Sequence, residues 1–399
     1  MKFLWFSHFS GGGGSTLGAI LAGFTPILGI ECDKKVAELY EKNLGKVICG
    51  DIGEVSVLDC LKYVPLKEKR ARDGEILVVQ TSPPCQEYSQ AKKNKNPSSK
   101  EGQILWKTRK FYALFRPEYV ILENVRSYAK SEVYIKFKNY LKDLGYEISF
   151  EEIVNCADYG VPQTRQRLIT IFNYKNFPKV NIKPTHKKEE WVGWYSTIKD
   201  LIPDLREVHL TPRQELAIKN RQEKTLLING QQKGAGRLFQ TTAGSEPCHT
   251  IPVSHWKSMP KCILVDSDNS SNYKTREEDE PIFTITKGFS NAKIALERVG
   301  ARNGVSKIRE DDEPIWTLKA SLGSDGKGAN REKFVDISIN GVVKSLSVAC
   351  LARLQTFPDS YEFSGKNALD VHVIGNSVPP LLIRKICEEI KFTINTLKD

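Results

Sequence analysis

Over residues 1 to about 173, short apolar runs rich in β-branched residues alternate with segments whose apolar positions recur every three or four residues. The runs are KFLWFSHF, TPILGIE, KVICGD, EILVVQTS, EYVILEN, EISFEEIV and RLITIF. Between them lie STLGAILAGF, KKVAELYEKNL and GQILWKTRKFYALF, each with helical spacing. Strand and helix in strict alternation predict an α/β domain built on a doubly wound, mostly parallel sheet. The ligand of such a sheet is expected at the carboxyl ends of its strands.

At 399 residues the chain is long for one core, so a second, smaller domain is expected. From Asn181 the alternation gives way to polar sequence punctuated by Pro and Gly, which predicts an irregular, β-rich domain. The resulting division is 1–180 with 366–399 for the first domain and 181–365 for the second. Within the second, EPCHTI (246–251), EPIFTI (280–285) and EPIWTL (313–318) recur, each setting an acidic turn and a proline before a strand. After the Pro379-Pro380 stop, LLIRKICEEIKFTINTL carries an amphipathic helical pattern and is expected to pack back on the first domain.

A net charge of +11 favours a polyanionic partner, because counterion release drives binding to nucleic acid. The nine cysteines contain no Cys-x-x-Cys pair and the six histidines lack ligand spacing, so reduced thiols and no metal site are expected. No window approaches the twenty or so apolar residues of a membrane span, and the N-terminus lacks a signal-cleavage pattern. These features predict a cytoplasmic protein.

The glycine loop FSGGGGSTLG (9–18) follows the first strand and opens a helix, which lets backbone amides approach a ligand closely. A dinucleotide fingerprint is not met: counting from Gly11 or Gly12 puts Thr16 or Leu17 at the third glycine. Glu31 ends the second strand, where an acid can hold ribose hydroxyls, and Asp51 ends the third, where it can take an adenine amino group. Together they fit a nucleoside-bearing cofactor without phosphates.

In QTSPPCQEYSQ (80–90), the two prolines hold Ser82 and Pro83 extended and fix Cys85 on a stiff loop at a strand end. A thiol there becomes a usable thiolate beside a cation or a helix start. The next strand ends in Glu123 and Asn124 on the same edge, so Glu123 is a candidate proton donor. In ADYGVPQTRQRLITIF, Arg165 and Arg167 stand two apart entering a strand, a spacing that suits a grip on phosphate or on a base carbonyl.

The sequence resembles the DNA cytosine-5 methyltransferases. The blocks FSGGGGSTLG, GIECD, GDI, SPPCQEYS, ILENV, YGVPQTRQR, ARLQTFPDSYEF and IGNSVPP occur in family order. The resemblance implies the class I fold of methyltransferases that use S-adenosylmethionine. It assigns Phe9, Gly11, Gly12, Gly14, Glu31, Asp51, Ile52, Pro83, Asn376 and Val378 to the cofactor, and makes 181–365 the target-recognition domain. Cys85, Glu123, Arg165 and Arg167 become the catalytic set, with Ser89, Asn124 and Gln163 at the substrate. It further implies double-stranded DNA as partner, a monomer on DNA, and a cognate restriction endonuclease that acts separately. The sequence departs from the family pattern at Thr81 and Ser82, usually glycines, at Ala349-Cys350, usually Arg-Glu, and at Val373, commonly Gln. The Cys-Phe-Thr block of the RNA-directed branch is not found.

Overall fold

The computed structural model describes residues 1–84, 103–206, 225–229, 239–243, 246–249, 261–264 and 342–396. Cys85, Ser89, the basic stretch 90–102, the second and third repeats, and the loops 254–260, 287–293 and 320–333 lie outside the described residues. The chain divides into two compact units, one comprising Met1–Arg206, Leu226–Cys262 and Ser345–Asp399, the other Glu207–Thr225 and Ile263–Lys344. Of the residues that the sequence pattern allotted to the second domain, 181–206, 226–262 and 345–365 fall with the first unit. Leu351 and Leu354 are buried there, and the Tyr361 hydroxyl donates to the Gly12 carbonyl.

Elements follow in chain order: β1 (Lys2–His8), α1 (Gly14–Leu21), β2 (Thr25–Glu31), α2 (Lys34–Leu44), β3 (Val47–Cys49), α3 (Val57–Cys60), α4 (Lys67–Asp73) and β4 (Glu75–Thr81). Then come α5 (Ile104–Lys107), α6 (Arg109–Phe115), β5 (Tyr119–Val125), α7 (Glu132–Asp143), β6 (Tyr146–Asn155), β7 (Gln163–Thr164), β8 (Gln166–Tyr174) and α8 (Trp194–Ile198). The short strands β9 (Thr225–Asn229), β10 (Phe239–Ala243), β11 (Cys248–His249), β12 (Lys261–Leu264) and β13 (Val342–Ser345) precede α9 (Val348–Leu354), α10 (Asn367–Asn376) and α11 (Pro380–Asn395).

Seven strands form one sheet in the order β3-β2-β1-β4-β5-β8-β6. Its strands run parallel, except that β8 is antiparallel to both of its neighbours. All seven runs identified in the sequence are strands of this sheet. Alternation along each strand sends side chains to two cores. Leu4, Phe6, Leu77 and Val79 join Phe111, Tyr112 and Phe137 of α6 and α7 on one face. Trp5, Ile76, Val78 and Ile121 join Ile383, Ile386 and Ile390 of α11 on the other.

That second face requires close backbone approach. An ideal Cβ on Gly18 of α1 would stand 2.3 Å from the Pro380 carbonyl oxygen, and one on Gly14 would stand 2.6 Å from that of Val378. Among the described residues, no helix is long and apolar enough to cross a membrane.

His8, at the end of β1, is fully buried against Phe6, Phe111 and Tyr112, its Nδ1 3.3 Å from the Tyr112 hydroxyl. Burial, with the nearby Lys110 ammonium, pulls its pKa down to about 3. Above about pH 6.5 the imidazole is neutral in both folded and unfolded chains. As pH falls from there toward 3, the unfolded chain takes a proton that the fold refuses, so stability drops by up to about 1.4 kcal/mol per pH unit. His8→Leu is expected to flatten that acid limb in urea titrations between pH 6.5 and 4. For Gly18→Ala, the roughly 1 kcal/mol gain in helix propensity opposes a clash with backbone that cannot swing away. The clash wins, and a net loss of about 1–3 kcal/mol is expected in the same titration at pH 7.5.

Candidate active site

The carboxyl ends of β2, β1, β4 and β5 open on a cavity of about 480 Å³. The turn after β1 shapes its floor. Phe9 takes a left-handed φ of 54°, the Ser10 amide donates to the Ile30 carbonyl at 2.9 Å, and the Gly11 amide donates to Glu31 Oε2 at 2.9 Å. The other Glu31 oxygen accepts from the Asp33 amide at 2.9 Å, which fixes the carboxylate at the rim of β2. Beneath the loop, the Ser7 and Ser15 hydroxyls donate to Gln80 Oε1 at 2.7 and 3.0 Å, and Gln80 Nε2 donates to the Ser82 hydroxyl. Ser82, a departure from the family pattern, thus completes a buried polar net that the usual glycine could not.

Asp51 follows β3, and its Oδ1 accepts from the Gly53 amide at 2.8 Å. Phe9, Gly11, Gly12, Gly14, Glu31, Asp51, Ile52, Pro83, Asn376 and Val378 all line this one cavity. Glu123, Asn124, Arg165 and Arg167 line it as well. Asn124 Nδ2 donates to the Pro83 carbonyl at 2.9 Å and so ties the end of β5 to the proline loop. Pro84, the residue before Cys85, belongs to the lining.

Glu123 and Arg167 form an ion pair at 3.1 Å, their side chains only 9% and 13% exposed. Arg165 behaves differently from the shared grip its spacing predicted. It is 2% exposed, and its guanidinium donates to the carbonyls of Gly375 and Ser377 at 3.2 and 3.1 Å, so it clamps the turn after α10 from behind. Gln163, expected at the substrate, does not line the cavity. It is fully buried, and its Nε2 donates to Gln355 Oε1 at 2.8 Å.

Sequence reasoning passed over Ser10, Ser15, Gln80 and His372, which also line the cavity. Gln80 had a signal, since an uncharged polar residue near the end of an otherwise apolar strand must have a buried partner. Val373, where the family commonly has Gln, lies over Gly12, whose ideal Cβ would meet it at 2.3 Å. Cys32 is the cavity's thiol among the described residues. Burial and the adjacent Glu31 carboxylate push its pKa up to about 11, so it is no nucleophile at neutral pH.

The charge of the lining is informative. Its acids are Glu31, Asp33, Asp51 and Glu123, whereas its two arginines are engaged with Glu123 and with backbone carbonyls. Such a wall repels phosphate and accepts a nucleoside that carries positive charge.

The sequence profile of the C-5 cytosine-specific DNA methylases matches residues 3–392. The type II methylase M.HgiDII of Herpetosiphon aurantiacus is 26% identical over 391 residues, covering 96% of this chain and 93% of its own length. The type II methyltransferase M.FnuDI of Fusobacterium nucleatum is 25% identical over 402 residues, covering 99% and 95%. Among solved structures, the Dnmt2 methyltransferase of S. pombe superposes with a TM-score of 0.55 at 14% identity, with all of both chains covered. The Entamoeba histolytica methyltransferase EhMeth gives 0.55 at 15% identity, again over all of both chains. At these identities the superpositions establish the methyltransferase fold alone. With the family profile spanning nearly its whole length, the chain belongs to the C-5 cytosine-specific DNA methylase family and is a DNA (cytosine-5-)-methyltransferase.

Proposed function

We propose that this enzyme methylates C5 of a flipped-out cytosine in double-stranded DNA, using S-adenosylmethionine and a transient covalent bond to Cys85. The observation that carries the reading is the junction of two subsites in one cavity. The Glu123–Arg167 pair and the Pro83–Asn124 tie stand beside a phosphate-averse pocket of Gly11, Glu31 and Asp51. A cationic, phosphate-free nucleoside fits that donor set: Glu31 suits the ribose hydroxyls, Asp51 with Ile52 suits the adenine, and Phe9, Gly12, Gly14, Asn376 and Val378 enclose the remainder. S-adenosylmethionine, when bound, supplies an electrophilic methyl group.

The chain's own residues make the carbon nucleophilic. Cytosine C5 is too weak a nucleophile unaided, so the Cys85 thiolate adds at C6 and forms a C–S bond. The Glu123 carboxyl donates its proton to N3, and the ring becomes an enamine with electron density at C5. Arg167 holds the O2 carbonyl. Once C5 carries the methyl group, a water molecule takes the C5 proton, the C5–H electron pair expels Cys85 as thiolate, N3 returns its proton to Glu123, and 5-methylcytosine is released. These atoms lie inside the stacked duplex, so the base is flipped out at a cost of a few kcal/mol. Asn124 and Ser89 are assigned to the extruded base.

Of residues 181–365, those of the second unit, 207–225 and 263–344, are proposed for target recognition, with Lys and Arg on phosphates and Asn and Ser reading base edges. The net charge of +11 supports duplex DNA as the partner of a single-chain, cytoplasmic enzyme. Relatives that span the whole chain carry type II names, which supports a place in a restriction-modification system beside a separately acting endonuclease.

DNA containing 5-fluorocytosine offers no C5 proton to lose, so the wild-type enzyme is expected to remain covalently attached to it in a denaturing gel. Cys85→Ala is expected to form no adduct and to transfer no methyl group while still shifting duplex DNA; methylation by that variant would overturn the mechanism. Glu123→Gln is expected to slow single-turnover methylation by about 10²–10⁴-fold, with cofactor affinity changed less than threefold. Equal losses in both quantities would remove Glu123 from the chemistry.

A further inference from the structure

Behind the cavity wall stand two buried amides, Gln163 and Gln355, neither of which lines the cavity. Gln355, fully buried just after α9, donates from Nε2 to the Ser377 carbonyl at 2.6 Å and accepts at Oε1 from Gln163 Nε2 at 2.8 Å. The same Ser377 carbonyl receives Arg165, and the Ser377 hydroxyl donates to the Val373 carbonyl at 2.7 Å. Ser377 therefore has its main-chain acceptor filled twice from one side, while Asn376, Ser377 and Val378 face the cavity on the other. At its far end the chain reaches β7, where Gln163 is the register partner of Cys248 in the parallel pairing with β11, the described part of the first repeat. Thr356, next in sequence, takes a left-handed φ of 68° and accepts the Leu381 amide of α11 at 3.0 Å, which holds Gln355 in place from its other side.

Resting on the cofactor reading above, we infer that Gln355 is a positioning residue: through the Ser377 carbonyl it sets the Asn376–Val378 wall against the cofactor, and through Gln163 it links that wall to β7 and β11. An amide serves here because one side must donate to Ser377 while the other accepts from Gln163, which neither a carboxylate nor an ammonium can do. The inner hydrogen bonds are dry, so loss of one partner strands the other.

The test separates positioning from packing by pairing two variants and reading the affinity for S-adenosylhomocysteine by calorimetry beside the urea midpoint. Gln355→Leu is expected to weaken that affinity by about tenfold or more, because the wall loses its fixed register. It also lowers the urea midpoint, since Gln163 is left unpaired. Adding Gln163→Leu removes the stranded partner, so the double variant should regain much of the midpoint. It should not regain S-adenosylhomocysteine affinity. Recovery of both quantities together, or wild-type affinity in Gln355→Leu alone, would reduce Gln355 to a packing residue. Failure of the wild-type chain to bind S-adenosylhomocysteine at all would instead overturn the cofactor reading beneath it.

Discussion

A mostly parallel sheet must be covered on both faces, and here one cover comes from the far end of the chain. Helix α11 lies on the face that bears Trp5, Val78 and Ile121, against α1, and the contact depends on bare backbone at Gly14 and Gly18. The turn that leads into α11 is also the Asn376–Val378 wall of the cavity. Burial of apolar surface and construction of the cavity are therefore coupled, and that core cannot close without bringing α11 and the turn before it to the cavity edge.

Around that edge, charges are spent on structure before any ligand arrives. Glu31 accepts two backbone amides, Asp51 accepts one, and Arg165 fills two carbonyls. Groups so fixed lose little entropy when a ligand comes, which is the physical content of preorganisation. The Glu123–Arg167 pair differs, since the two charges face each other at the cavity surface, with Arg167 held otherwise by the Gln166 carbonyl at 2.7 Å. A ligand that enters the cavity can compete for both charges, whereas the backbone-held groups keep their partners.

Local sequence carried the strands because their signal is local: β-branched runs of the right length, each ended by a polar residue at the same edge. The cavity acids and the glycine loop were legible for the same reason, since each sits at or just past the carboxyl end of a strand. Gln163 and Arg165 were not. Their placement depends on Gln355, Gly375 and Ser377, some 192 to 212 positions away, and no pattern within QTRQR records which way those side chains turn. The extent of the second domain was not legible either, since 181–206, 226–262 and 345–365 fall with the first unit. ARLQTFP falls in the range given to the second domain, but its allegiance is fixed by Leu351, Leu354 and Tyr361 packing into the first unit.

Two of the four left-handed non-glycine residues among the described residues mark where local preference yields to the site. Phe9 and Thr356 have φ of 54° and 68°, conformations that cost about 1–3 kcal/mol for side chains of their kind. Glycine would relieve both, so each side chain must return something that hydrogen cannot. At Thr356 the return is visible: its hydroxyl accepts the Leu381 amide, one of the donors left open in the first turn of α11. At Phe9 it is apolar surface, since the ring packs against the β1–α6 core while its backbone turns the chain toward Gly11. Both strained positions thus serve the same joint, where the start and the end of the chain meet across the cavity.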